Sequence, residues 1–299
     1  MQAAQFSQYG GPEVLEIGEA PDPHPGPGEV RVVVHAASVN PIDWKVRSGY
    51  LRDQASLDFP ATPGADAAGV VDEVGEGVSG VSLGDAVFGL GSQTNAELAV
   101  LRAFVPKPPS MDWAEAAAIA IGAETAVRVL NLLGVRSGTT LLIDGAAGGV
   151  GSMAVQIALG RGATVIGTAS PRNQEFLREL GATPLVYGEG LVDRVREVAP
   201  DGVDAVFDVA GASPVEDLVS LVPEPAQVVS IANFAAGQAG ARVTTGGEGD
   251  PLAALQEAVD LYEAGKLKTE VRTFGLAEIA EAHRVSQAGH VRGKLVLVI

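Results

Sequence analysis

The pattern of apolar and polar positions divides the chain into two regimes. Through roughly the first hundred residues, short β-prone runs alternate with Gly- and Pro-rich breaks. Residues 29–39, 67–75, 85–89 and 96–100 each read as a strand, and 76–80 reads as a turn. Residues 21–28 hold four prolines and two glycines and read as a rigid loop. The pattern predicts an all-β, barrel-like module. Beyond the break at 106–110, the alanine-rich stretch 112–133 reads as a helix interrupted near Gly122. From Thr139 onward strands and helices alternate, with buried-type strands at 203–209 and 227–232, a helix at 252–262, and a glycine-rich mobile loop at 237–250. That alternation predicts a doubly wound parallel sheet. One more strand, 294–299, lies past this unit and most simply returns to the first module. The expected division is therefore 1–118 with 264–299, and 119–263.

Where the first strand of the second regime ends, the chain reads Ile143-Asp144-Gly145-Ala146-Ala147-Gly148-Gly149-Val150-Gly151. An apolar run, a glycine turn and then a helix-prone segment is the layout in which backbone N–H groups at a helix start face a diphosphate. Ala146-x-Gly148-x-x-Gly151 is the dinucleotide fingerprint with alanine at the first glycine position. Gly148 lets the main chain approach the diphosphate, Gly151 lets the helix pack on the strand, and Gly145 and Gly149 ease the reversal. The next strand, 163–169, ends in Ser170-Pro171-Arg172-Asn173, with no acid before Glu175. A carboxylate there would accept bonds from the 2′-hydroxyl of NAD; a hydroxyl and a guanidinium suit the 2′-phosphate of NADP(H). The other reading of Arg172 is a solvated residue in the first turn of a helix, where a cation is disfavoured unless an anion is present.

Composition narrows the options further. A chain of 299 residues accommodates two domains. Its formal net charge of −17 argues against nucleic acid and anionic membranes as partners. With no cysteine, disulfides, thiolate catalysis and cysteine-based zinc sites are excluded. No uncharged apolar run is long enough to span a bilayer, and no basic region followed by an apolar core opens the chain, so a cytoplasmic protein is expected. His24, His35, His283 and His290 show no short metal-binding spacing and read as surface or hinge histidines.

Specific strings resemble the medium-chain dehydrogenase/reductase superfamily over nearly the whole chain. Ala36-Ala37-Ser38-Val39-Asn40-Pro41-Ile42-Asp43 looks like the motif of its zinc-free quinone oxidoreductase, zeta-crystallin-like branch. Pro63-Gly64-Ala65-Asp66-Ala67 resembles the segment where zinc alcohol dehydrogenases carry a ligand histidine. Gly84-Asp85-Ala86-Val87-Phe88-Gly89, the glycine turn and the ending Gly293-Lys294-Leu295-Val296-Leu297 fit the same branch. The resemblance implies a GroES-like β-barrel domain joined to a Rossmann domain. It also implies hydride delivery from NADPH, in a cleft between the two, to a quinone or an activated alkene such as an enone or alkenal. Zinc-dependent relatives place Cys where this chain has Asn40, so no metal is expected. Without its Lewis acid, alcohol oxidation is disfavoured.

On this resemblance Asn40 donates to a developing oxyanion or holds the nicotinamide ribose, or is simply a turn residue before Pro41. Asp43 orients its polar neighbours, or caps a helix. Tyr50 donates a proton or stacks on a flat substrate. Lys45 stands where many quinone oxidoreductases carry tyrosine, a departure that moves the reading toward alkenal and enone reductases; it supplies charge to an enolate, or is a surface lysine. Thr125 is expected near the nicotinamide and Tyr187 beside the adenosine phosphate. Ala210 is expected at the ribose, and Ile231, Ala232 and Asn233 at the carboxamide. Arg292 and Lys294 are phosphate candidates or strand-edge charges. The expected cofactor contacts are completed by Gly145, Ala146, Ala147, Gly148, Gly149 and Val150 in the turn, with Ser170, Arg172 and Asn173. The family's habit implies a homodimer. An NADPH-binding protein without turnover, crystallin-like or regulatory, shares the same loop and stays open.

Overall fold

The computed structural model describes residues 1–53 and 57–299. Its contacts divide the chain into two compact units, Met1–Ile121 with Thr269–Ile299, and Gly122–Lys268. The sequence reading placed these boundaries at 118/119 and 263/264.

In the first unit a six-stranded sheet curls on itself. The long strand Val30–Val39 pairs antiparallel with Asp66–Val74 through its length and with Leu98–Pro106 through its first residues. Strand Ala86–Ser92 bridges the other two, which closes the barrel. Val30, Val32, Val34, Ala67, Val71, Val87, Ala99 and Leu101 fill it. The C-terminal strand Lys294–Val298 returns to this unit, pairing antiparallel with Val30–Val39 (Leu295 opposite Val39) and parallel with Val271–Gly275. The unit is not all-β. A helix at Pro41–Arg47 and another at Ile279–Ala288 pack on it, and Gln2–Gln5, paired with Glu16–Glu19, is fastened to residues 95–97 by main-chain bonds. The seven-residue helix escaped the periodicity reading because it spans barely two turns.

Helix Trp113–Leu132 carries the chain into the second unit and runs uninterrupted through Gly122. A side chain at Gly122 would fall 2.5 Å from the Met153 sulfur, so glycine serves close packing there and breaks nothing. The second unit is a six-stranded parallel sheet. Arg242–Val243, Val228–Ser230, Ala205–Asp208, Thr140–Asp144, Thr164–Ala169 and Thr183–Val186 lie side by side in that order. The order reverses at Thr140–Asp144, the place where open α/β sheets bind ligands. Within 237–250, expected as a mobile loop, Arg242–Val243 forms the edge strand of the sheet and residues 245–250 are exposed. Thr244 is buried and accepts from the Arg128 guanidinium, which also bonds Glu124.

Candidate functional site

The glycine turn sits where strand Thr140–Asp144 yields to helix Gly149–Gly160. Gly145 takes φ +91°, a conformation that excludes most side chains. Its N–H donates to Thr168 Oγ1 at 3.0 Å and the Ala146 N–H to the Thr168 carbonyl at 2.9 Å. Those two groups fasten the turn to the next strand and are not available to a ligand. The available donors are those at the helix start, where Gly148 is the N-cap and no side chain caps the first turn. Gly149 and Val150 supply them, and Ala147 leads into them.

Two glycines here have different reasons. A Cβ on Gly151 would lie 2.3 Å from the Gly145 carbonyl oxygen and 2.8 Å from Ala146 Cα, so packing within the protein demands glycine. A Cβ on Gly148 would meet nothing closer than that same oxygen at 3.7 Å. Gly148 has ordinary extended angles, φ −78° and ψ 178°. The protein itself does not require glycine there, whereas a diphosphate lying on the main chain would.

At the end of the second strand, Ser170 Oγ is buried with no hydrogen-bond partner among the described residues. Arg172 follows on an exposed 3-10 turn, and Asn173 is buried. The first acid, Glu175, is engaged by Arg178 at 2.8 Å. An orphan hydroxyl two residues before an exposed arginine, in a turn whose own residues carry no carboxylate, fits a phosphoryl group. Tyr187, with Gly188, Leu191, Ser213 and Pro214, lines a cavity of about 150 Å³.

The floor of the sheet holds an acidic pair that the sequence reading passed over. Asp144 and Asp208 stand opposite each other in the parallel register, both buried. Thr168 Oγ1 donates to Asp144, and Ser230 Oγ to Asp208 at 2.7 Å. Burial, reinforced by Asp144, raises the Asp208 pKa above the ordinary carboxylate value. Ala210 lies against the turn: a Cβ on Gly145 would come within 2.8 Å of its methyl. The N–H groups of Ile231, Ala232 and Asn233 are already taken, the first by the Asp208 carbonyl and the others by Ser230 Oγ. The carbonyls of Ile231 and Ala232 remain to meet a carboxamide. Thr125 is buried, with its hydroxyl donating to Glu124 at 3.2 Å.

In the barrel unit the candidates form a buried polar cluster. Asn40 Nδ2 donates to Ser38 Oγ at 2.9 Å and to Asp66 Oδ1 at 3.0 Å. Its Oδ1 accepts from Lys294 Nζ, which also donates to Ser38 Oγ at 3.0 Å. Both amide hydrogens of Asn40 are therefore engaged inside the protein, and the oxyanion-donor role does not suit it. Lys294 is likewise no strand-edge charge: it is buried, and burial lowers its pKa against the opposing pull of Asp66 and Asp43. A phosphate role does not suit it either. Asp66 Oδ2 accepts from the Ile121 N–H.

Asp43 returns its carboxylate to the Asn40 N–H at 2.7 Å, the reciprocal half of a capping box. Burial pushes its pKa up to about 7; the Asn40 N–H opposes this, Asp66 adds to it and Lys294 counters it. Lys45 is half-buried and its pKa is lowered by desolvation. Tyr50 is 65% exposed. Arg292 donates from Nε to Glu270. His283, expected at a surface or hinge, is fully buried. A carboxylate at the head of one apolar strand (Asp66) and an ammonium at the head of another (Lys294) was the sequence signal for this cluster. No three His, Asp or Glu side chains converge as metal ligands among the described residues, and no helix is long and apolar enough to cross a membrane.

Comparison with known proteins places this geometry. Residues 26–101 match the alcohol dehydrogenase GroES-like domain family, and residues 180–297 match the zinc-binding dehydrogenase family. The chain is 32% identical to a chloroplast envelope quinone oxidoreductase homolog of Arabidopsis thaliana, covering 99% of this chain and 98% of that one. It is 30% identical to a 2-methylene-furan-3-one reductase of Solanum lycopersicum, covering 99% and 79%. Among solved structures, the quinone oxidoreductase from Coxiella burnetii superposes with a TM-score of 0.86 at 32% identity, covering 100% and 99%. A mycobacterial protein solved in complex with NADPH does so at 0.85 and 26%, covering 100% of both chains. The chain belongs to the medium-chain dehydrogenase/reductase superfamily, in its zinc-free quinone oxidoreductase branch.

Proposed function

We infer that this oxidoreductase uses NADPH, without zinc, to reduce quinones or activated alkenes. The observation that carries the cofactor choice is the unpartnered, buried Ser170 hydroxyl followed by Arg172 at a strand end that bears no carboxylate. Bound NADPH supplies a hydride to an electrophilic acceptor. The helix-start N–H groups of Gly149 and Val150 hold the diphosphate, and Ser170 with Arg172 holds the 2′-phosphate. The cavity beside Tyr187 takes the adenine, and the Ile231 and Ala232 carbonyls accept from the carboxamide. Lys45, whose ammonium is made more acidic by desolvation, stabilises the oxyanion formed on the acceptor. Tyr50 supplies the proton or stacks on a flat ring. Reaction without zinc is supported by the Lys294 ammonium resting on Asn40, since one buried cation opposes a second beside it.

The relatives named quinone oxidoreductase and 2-methylene-furan-3-one reductase support both acceptor classes. The test is NADPH consumption against a panel of quinones, enones and alkenals, with NADH as control. Oxidation of NADPH by none of them would leave only a binding protein. For the cofactor, Arg172→Ala is expected to weaken NADPH by about tenfold to a hundredfold, the equivalent of one charge-assisted bond, and NADH hardly at all. Equal weakening of both would remove Arg172 from the 2′-phosphate.

A further inference from the structure

The barrel unit contains a second cluster of polar groups, which the proposed reaction does not use. Trp44 and Arg47 are three residues apart on helix Pro41–Arg47, and His283 and Gln287 are four apart on helix Ile279–Ala288. Those spacings put each pair on one helix face. Arg47 Nη2 donates to Gln287 Oε1 at 2.7 Å, so the two faces oppose each other. Arg47 and His283 are both 0% exposed. Of nine buried side-chain polar atoms without a partner among the described residues, five lie here: Trp44 Nε1, Arg47 Nε, Arg47 Nη1 and both ring nitrogens of His283. Unsatisfied buried groups are rare in folded proteins, and a concentration of them calls for a physical cause.

The chemistry of the five is one-sided. Trp44 Nε1 only donates, and so do Arg47 Nε and Nη1. The neutral His283 ring brings one donor and one acceptor. No carboxylate bonds the guanidinium among the described residues. Glu13, whose carboxylate accepts from the Gly11 N–H at 3.1 Å, acts on Arg47 through its charge, with no hydrogen bond between them among the described residues. A buried guanidinium that leaves two of its N–H-bearing nitrogens without an acceptor is unfavourable. Donors on three side chains and one fixed positive charge, with no carboxylate bonded to them among the described residues, are the makings of an anion site.

We propose that Arg47, Trp44 and His283 together bind a small monovalent anion, chloride in ordinary buffers, between helices Pro41–Arg47 and Ile279–Ala288. The anion is small because the groups that face it are enclosed, and monovalent because a single guanidinium answers it. Its effect is to lock the helix that begins at Asn40 and carries Asp43 and Lys45. The site stands independently of the cofactor and of the acceptor.

Two measurements test it. Thermal unfolding at constant ionic strength, in chloride and in the bulky anion gluconate, should show a saturable rise of about 2–5 °C with chloride. Arg47→Met, which keeps an unbranched apolar stem, should abolish the chloride dependence. Crystals of the unaltered protein soaked in bromide should show an anomalous peak within hydrogen-bonding reach of Arg47 Nε or Nη1, and this measurement does not depend on the variant folding. A water in that position with no bromide peak, an unfolding temperature indifferent to the anion, or an undiminished chloride effect in Arg47→Met would each overturn the proposal.

Discussion

Replacing Lys294 with methionine separates charge from packing in the buried cluster of the barrel unit. Methionine keeps an unbranched apolar stem of similar length, so the packing change is small. The loss falls on the polar partners. Lys294 Nζ donates to Ser38 Oγ and to Asn40 Oδ1. Without it Asn40 Oδ1 is a buried acceptor with no donor, which costs about 1–3 kcal/mol. Asp66, fully buried, also loses the cation that answers it, and removing one member of a buried charge set costs about 3–5 kcal/mol. Part of that returns, because the ammonium's own desolvation, visible in its lowered pKa, disappears with it. The net expectation is a loss of about 3–4 kcal/mol in urea unfolding. Asp66→Asn removes the charge that Lys294 answers, so the double variant should be more stable than additivity predicts by about 2 kcal/mol.

The same substitution carries a pH signature. Burial raises the folded Asp43 pKa to about 7, above its ordinary value, so its contribution is fully present at low pH and is lost as pH rises toward 7. The charge on Lys294 restrains that rise. In its absence Asp43 retains its proton to higher pH, and stability continues to fall beyond 7. The penalty should grow between about pH 6 and about pH 8 by on the order of 1 kcal/mol. Additive double variants together with a pH-independent penalty would refute the reasoning and reduce Lys294 to a packing residue.

Other substitutions probe the nucleotide turn and the buried histidine. Gly148→Ala should change stability by less than about 1 kcal/mol, the poorer N-cap being offset by the stiffer unfolded chain, and yet weaken NADPH by about tenfold or more in a fluorescence titration, since only a ligand requires glycine there. Unchanged affinity would show that the diphosphate does not lie on that residue. Gly151→Ala should instead lower stability by about 1–3 kcal/mol, because the new methyl meets main chain on the opposite side of the turn; a thermal midpoint like that of the parent would contradict the packing argument. Burial, then the charge of Arg47, lowers the His283 pKa to about 3. Its contribution is thus complete above its ordinary pKa and is lost as pH falls toward 3. In chloride-free buffer about 3 kcal/mol should disappear between about pH 7 and about pH 4.5, and His283→Gln should flatten that slope. An unaltered acid profile would place the titrating group elsewhere.

Elements whose physics is local were legible before any coordinates. The glycine turn, its helix, and the Ser170–Arg172 strand end each depend on neighbours a few residues away, and backbone conformation and capping act over that range. The closure of the barrel and the return of the last strand were also readable as pattern, because apolar alternation survives in the sequence. Gly122 shows where that reading fails. Glycine lowers helix propensity by about 1 kcal/mol, and a contact with Met153, which lies on another helix, outweighed it. Asn40 shows the same limit in the site: its residue type suggested a donor to substrate, and Lys294, 254 positions away, takes its carbonyl while Ser38 and Asp66 take its hydrogens. The Arg47–Gln287 pair spans 240 positions. Local sequence determined which residues can hold a diphosphate. Tertiary structure alone decided which polar side chains are engaged, because a hydrogen bond between distant positions exists only once strand pairing (here Leu295 against Val39) brings its two ends within 3 Å.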